Sequence, residues 1–214
     1  MALLANGALR TAALVVAVAV SDRAGAAPAD RLEVHTRVLA VVLERTTFAD
    51  AERLLGPTET RHNGGDAAAS ATAACYVGVD GTVLALVSNS EMGGGSTVTH
   101  YELVARESRA AYSDEPDYVV PAGRRPRCAR LASLSRATTT GGGLRLGMRM
   151  DDVRRLLGRA TRAAGRHAVY ESVIEVPKAS RDDAEPGPWR ARSVRVELER
   201  GVVVAIRVEQ ITSH

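Results

Sequence analysis

The residues able to do chemistry are few and scattered along the chain. Five histidines, His35, His62, His100, His167 and His214, fall in none of the close spacings from which metal sites are built. His62 and His167 lie in comparable loops after two short helical patterns, where exposed loop residues are the simplest reading. Gly93-Gly94-Gly95-Ser96 has the composition of a phosphate cradle or of a turn that exposes a nucleophile. A cradle needs a helix N-terminus behind it, and the residues that follow are strand-like, so a hairpin turn is expected. Asp151-Asp152 opens a helical pattern, where carboxylates complement the positive end of the helix dipole, and Asp182-Asp183 sits in a polar loop. Neither pair has a partner acid or base. The expectation is a protein that is not an enzyme, with no catalytic residue, no cofactor and no metal.

Cys75 and Cys128 are the only cysteines, and neither belongs to a C-x-x-C. In an exported chain an isolated pair is most simply a disulfide; two free thiols or a redox pair are the alternatives. Trp189 is the sole tryptophan, at the end of a segment, 177–192, rich in Pro, Gly and charge. On a mobile loop a tryptophan is a good anchor for a partner surface, and folding back over a sheet edge is the alternative. Trp189, with Arg190 and Arg192 beside it, forms the expected protein-binding site.

Residues 1–26 read as a secretory signal peptide. Arg10 supplies the positive flank, Ala12 to Val20 an apolar run too short to span a membrane, and Ala24-Gly25-Ala26 the small residues of a cleavage site. The remaining chain of about 188 residues is large enough for one large or two small domains. The whole sequence carries a formal charge of +3, with 28 basic and 25 acidic residues mixed along it, and aromatics make up 3%. Without basic runs interleaved with stacking rings, nucleic acid is not an expected partner. The expected compartment is periplasmic or secreted, with no transmembrane span in the mature chain.

The elements that must position these residues follow a repeated pattern. Met150, Val153, Leu156 and Leu157 share one helical face, and Gly158 ends the run. Phe48, Ala51, Leu54, Leu55 and Gly56 repeat it earlier, with Thr47 and Asp50 spaced as a capping box. Residues 31–43 alternate in a way that favours a strand, with a helix through Ala40 to Leu43 as the alternative. Cys75-Tyr76-Val77 and Thr82 to Val87 flank Asp80-Gly81, a hairpin signal, and Ser96 to Val104 reads as a third strand. Cys128 to Leu134 offers another strand, and 105–127 a linker. Tyr170 to Val176, Val194 to Leu198 and Val202 to Val208 read as strands, the last two joined by Arg200-Gly201. The expected class is α+β: two tandem repeats, each a short helix packed on a small antiparallel sheet, covering 27–127 and 128–214.

Gly147-Met148, Val153, Leu157-Gly158, Tyr170 and the Gly201 hairpin resemble the SmpA/OmlA family of outer-membrane assembly lipoproteins, and also the β-lactamase inhibitory protein group. Leu55-Gly56-Pro57, Tyr76 and the Gly81 hairpin carry the same resemblance in the earlier copy. Arg149 stands where that pattern has a hydroxyl cap, Ala160 where it has proline, and no lipid-bearing cysteine is present. The resemblance implies a helix-plus-sheet scaffold that acts through protein contacts. The expected function is that of an exported, non-enzymatic cell-envelope protein, a protein-binding or assembly accessory module with a protein partner. A secreted or periplasmic inhibitor of a hydrolase is the second reading, and a small envelope enzyme the third.

Overall fold

The computed structural model describes residues 28–63, 70–90, 96–105, 127–176 and 188–213. The expected signal peptide, the glycine turn at 91–95, nearly all of the 105–127 linker and residues 177–187 of the insertion lie outside them.

The helices are short: α1 (Pro28–Glu33), α2 (Phe48–Leu55) and α3 (Met150–Leu157). Two-residue strands β1 (Arg37–Val38) and β2 (Val41–Val42) pair across a tight turn. The other strands are β3 (Thr60–Asn63), β4 (Ser70–Val77), β5 (Val83–Ser90), β6 (His100–Val104), β7 (Ala129–Arg130), β8 (Arg162–Ala164), β9 (His167–Glu175), β10 (Trp189–Glu199) and β11 (Val202–Ser213). These nine form one sheet in the order β3-β4-β5-β6-β11-β10-β9-β8, with β7 lying parallel against β4. Every other pairing is antiparallel.

The expected α+β class of two helix-plus-sheet repeats is therefore corrected: the fold is mostly β, built on a single continuous sheet. The junction is β6 against β11, from Ala205 opposite Val104 to Glu209 opposite His100. All five residues of β6 are buried. Left as the margin of a small sheet, β6 would bury unpaired backbone N–H and C=O groups, which is costly. Alternation within a strand shows which face is apolar; it does not show which strand its edge will meet.

Local signals were more readable. Thr47 Oγ1 accepts from the Asp50 amide at 3.0 Å while Asp50 accepts from the Thr47 amide at 3.1 Å, closing the capping box of α2. α3 lacks this bond at Arg149 and has Asp151 and Asp152 in its first turn, paired to Arg154 and Arg155. Both helices end on glycine at positive φ, Gly56 at 102° and Gly158 at 83°, a backbone state that residues with a Cβ avoid. Arg200-Gly201 likewise makes the two-residue turn between β10 and β11, with both φ values positive.

Residues 31–43 are not the expected strand. They run from α1 through a 3-10 turn, Val34–Thr36, into the β1–β2 pair, whose turn puts Leu39 at φ 50°. Leu32, Val38, Val41 and Leu43 point into the core in either case, so burial alone could not separate the two conformations. The strand expected at 128–134 shrinks to β7, and the one expected from Ser96 begins at His100.

One face of the sheet carries the core. Tyr76, Leu84, Leu86, Tyr101, Leu103, Ile206, Val208, Val194, Val196 and Tyr170 meet Phe48 and Ala51 of α2 and Val153 and Leu157 of α3 in one buried cluster, with Leu134, Leu144 and Leu146 from the intervening loops. Cys75 and Cys128 are bonded, with their Cα atoms 4.5 Å apart, which pins the start of β7 to β4. Such a bond suits an oxidising compartment outside the cytoplasm. No helix of the described residues is long and apolar enough to cross a membrane, which says nothing of strands.

Leu157 is buried and Leu54 lies out in solvent. Leu157→Ala should cost about 2–5 kcal/mol in urea denaturation, and Leu54→Ala less than about 0.5 kcal/mol. Equal effects would contradict the orientation of the helices. Opening the disulfide with reductant, or by a Cys75→Ala/Cys128→Ala double replacement, should lower stability by roughly 2–4 kcal/mol. No change in the denaturation midpoint would show that the bond does not form.

Candidate functional site

The first four residues of β10 organise the candidate site. The expected loop position of Trp189 is corrected: it opens β10, opposite Ser213 of β11 and Glu175 of β9. Successive side chains of a strand point to opposite faces. Trp189 and Ala191 therefore share one face, Arg190 and Arg192 the other, and the three residues expected to form one surface are divided between two.

On the face of Trp189, register sets Val173 of β9, Ala191 of β10 and Ile211 of β11 side by side, with Trp189 one step along. Val173 is 71% exposed, Trp189 43% and Ile211 39%, at the end of the sheet where only β9, β10 and β11 pair. The flanking rows carry carboxylates: Glu175 beside Trp189, and Glu171 and Glu209 on either side of Ser193. Glu171 is paired to Arg162, while neither Glu175 nor Glu209 has an ion-pair partner among the described residues.

The opposite face holds a polar cleft of about 760 Å³ between the chain segment 33–45 and the ends of β10 and β11. Arg192 is buried there; its Nε donates to Gln210 Oε1 at 2.7 Å and a terminal nitrogen lies 3.4 Å from Glu33. Glu44 is held by three donors: the Thr212 amide at 2.6 Å, the Thr212 hydroxyl at 2.7 Å and the Gln210 side-chain amide at 2.9 Å. Its own amide donates to Val98 O at 2.7 Å, and its φ is 58°. That conformation costs a non-glycine residue of order 1 kcal/mol or more, which the charge-assisted bonds to β11 offset. Glu44 thus clamps the segment 37–45 to the sheet. Sequence inspection missed Glu33, Glu44, Val173 and Ile211. The alternation of 189–192 and of 209–212 could have shown the two faces, but the partners of Glu44 are 166 and 168 residues distant.

Below the cleft, His35 is buried with Nδ1 2.7 Å from Thr140 Oγ1, and its carbonyl accepts from the Tyr101 hydroxyl at 2.6 Å. Gly142 lies against the ring, so that a Cβ there would collide with it. Burial lowers the His35 pKa to about 4. His100, on the other face of the sheet, is fully buried and held well below its usual range, by burial first and then by Arg207. His62 lies on β3 and His167 on β9, separated by most of the sheet, so the structure does not bring them together. Among the described residues no group of three or more His, Cys, Asp or Glu could hold a metal ion. Asp151 and Asp152 are spent on arginines of their own helix.

Both buried histidines are neutral in the folded chain, whereas the unfolded chain protonates them near pH 6.5. Their contribution is therefore complete above that pH and is lost as pH falls below it, for His35 down to about 4, by at most about 1.4 kcal/mol per pH unit for each ring. Denaturation curves at several pH values should show this decline, shallower for His100→Leu; an unchanged slope would contradict a neutral, buried His100.

Comparison with known proteins supplies no further guide to this site: no family model, no curated protein and no solved structure matches the chain.

Proposed function

We propose that the chain is an exported, non-enzymatic protein of the cell envelope, periplasmic or secreted, that works by binding another protein as an accessory or assembly module. The observation that carries the reading is the apolar row of exposed Val173 and Ile211 with half-buried Ala191 between them and exposed Trp189 beside it on paired strands. Contiguous exposed apolar groups on a rigid sheet favour association, because burying them releases ordered water. A half-exposed tryptophan fixed on a strand loses little conformational freedom on binding, which is why such residues recur among binding hot spots. The carboxylates of Glu175 and Glu209 beside the patch select a partner that presents an apolar side chain flanked by Lys or Arg. The disulfide supports the compartment.

The test is recovery of an identified partner from an envelope extract on the immobilised chain, followed by affinity measurement with that partner purified. Trp189→Ala should weaken binding about 30-fold or more, the loss of a hot spot worth roughly 2 kcal/mol, and Val173→Glu should do the same by adding charge to the row. Both side chains are exposed, so thermal stability should hardly change. Unchanged affinity in both variants would move the binding face elsewhere. A collapse in stability would mean that Trp189 is part of the packing.

A further inference from the structure

We propose that the cleft between the segment 33–45 and the ends of β10 and β11 binds a short carboxylate-rich ligand, an acidic peptide of a few residues, through Arg37 and Arg45. The site lies on the opposite face from the apolar patch, so it does not depend on the protein-binding reading.

The lining supplies four guanidinium groups, Arg37, Arg45, Arg190 and Arg192, against two carboxylates, Glu33 and Glu44. The charges are not distributed evenly. Arg192 and Arg190 lie inward and are engaged, Arg192 by Gln210 and Glu33, and Arg190 by the Thr212 hydroxyl at 2.9 Å and Glu44 at 3.8 Å. Arg37 and Arg45 are exposed and make no hydrogen bond or ion pair with any described residue through their side chains. The recess therefore holds a neutralised interior and two unspent cations at its mouth. Thr97 and Thr99 add hydroxyl-bearing side chains to the wall.

The position of the two cations is fixed by the fold. Arg37 is in β1, and Arg45 follows the clamped Glu44. The positive φ of Glu44 turns the chain there, while its carboxylate is consumed by β11 and is not available to neutralise Arg45. Guanidinium groups bind carboxylates in a planar two-point fashion and lose little freedom in doing so. A volume of about 760 Å³ falls within the span of small-ligand sites. Glu33 and Glu44 are already matched by Arg192, Arg190 and the donors of β11, so the charge left for a ligand is that of the two rim guanidinium groups, carried on separate parts of the segment. Single charges spaced along a peptide can each meet one rim arginine.

The probe is triglutamate, titrated calorimetrically into the full chain at low ionic strength, with triglutamine and inorganic phosphate as comparisons. Triglutamate should bind saturably at one site, and triglutamine should not. Arg37→Ala/Arg45→Ala should weaken triglutamate at least tenfold with an unchanged melting temperature, and Trp189→Ala should leave it unaltered. Raised salt should weaken the complex, as expected of exposed charges. Absence of triglutamate binding, binding indifferent to the double replacement, or phosphate bound as tightly as triglutamate would each overturn the proposal.

Discussion

The pairing of β6 with β11 is the interaction on which the rest of the molecule depends. Five residues of β6 meet five of β11, and Tyr101, Leu103, Ile206 and Val208 from this seam lie at the centre of the buried cluster. Without it, two sheet margins would expose backbone donors and acceptors beside apolar side chains, a condition that favours aggregation over folding. With it, strands from β4 across to β9 share one core, and the position of every side chain on β10 and β11 is set relative to the N-terminal segment. The Tyr101 hydroxyl extends this order outward by holding the carbonyl of His35, and so fixes the turn from which Arg37 projects.

The functional consequences come from the pleat of β10. One strand end supplies an apolar surface through Trp189 and Ala191 and a charged one through Arg190 and Arg192. Their energetics differ. The apolar side gains by removing exposed surface from water. The charged side is a network in which buried Arg192 is held by Gln210 and by Glu33, whose own carboxylate reaches solvent, and its value lies in position. Glu44 is the exception. It accepts three hydrogen bonds in a strained backbone state, so removal of its carboxylate would release the segment that borders the cleft. We read the two faces as a protein-binding surface and a separate anion recess, held in one rigid frame.

Much of the local structure was legible in the sequence. The Thr47–Asp50 box, the glycine ends of α2 and α3, the hairpins at Gly81 and Gly201, and the cysteine pair all rest on interactions between residues close in sequence or on a scarce residue type. What could not be read were long-range choices. The union of β6 with β11 joins strands about a hundred residues apart, and neither carries a mark of the other. Trp189 is misplaced by the sequence reading because Pro186, Gly187 and Pro188 beside it are loop signals, whereas β10 begins at Trp189 itself. Residues 31–43 were misread because a short helix, a turn and a two-residue strand bury the same positions as a longer strand would. Of the site, Trp189, Arg190 and Arg192 were identified as residues, but their division between two faces needed the register of β10 against its neighbours.

The continuous sheet is the central claim, and cross-strand proton contacts in solution NMR test it most directly. The account requires contacts joining Tyr101 to Val208 and Leu103 to Ile206, with slow amide exchange on both strands at the level of global unfolding. Absence of those contacts, together with fast exchange along β6 and β11, would mean two separate sheets and would contradict it.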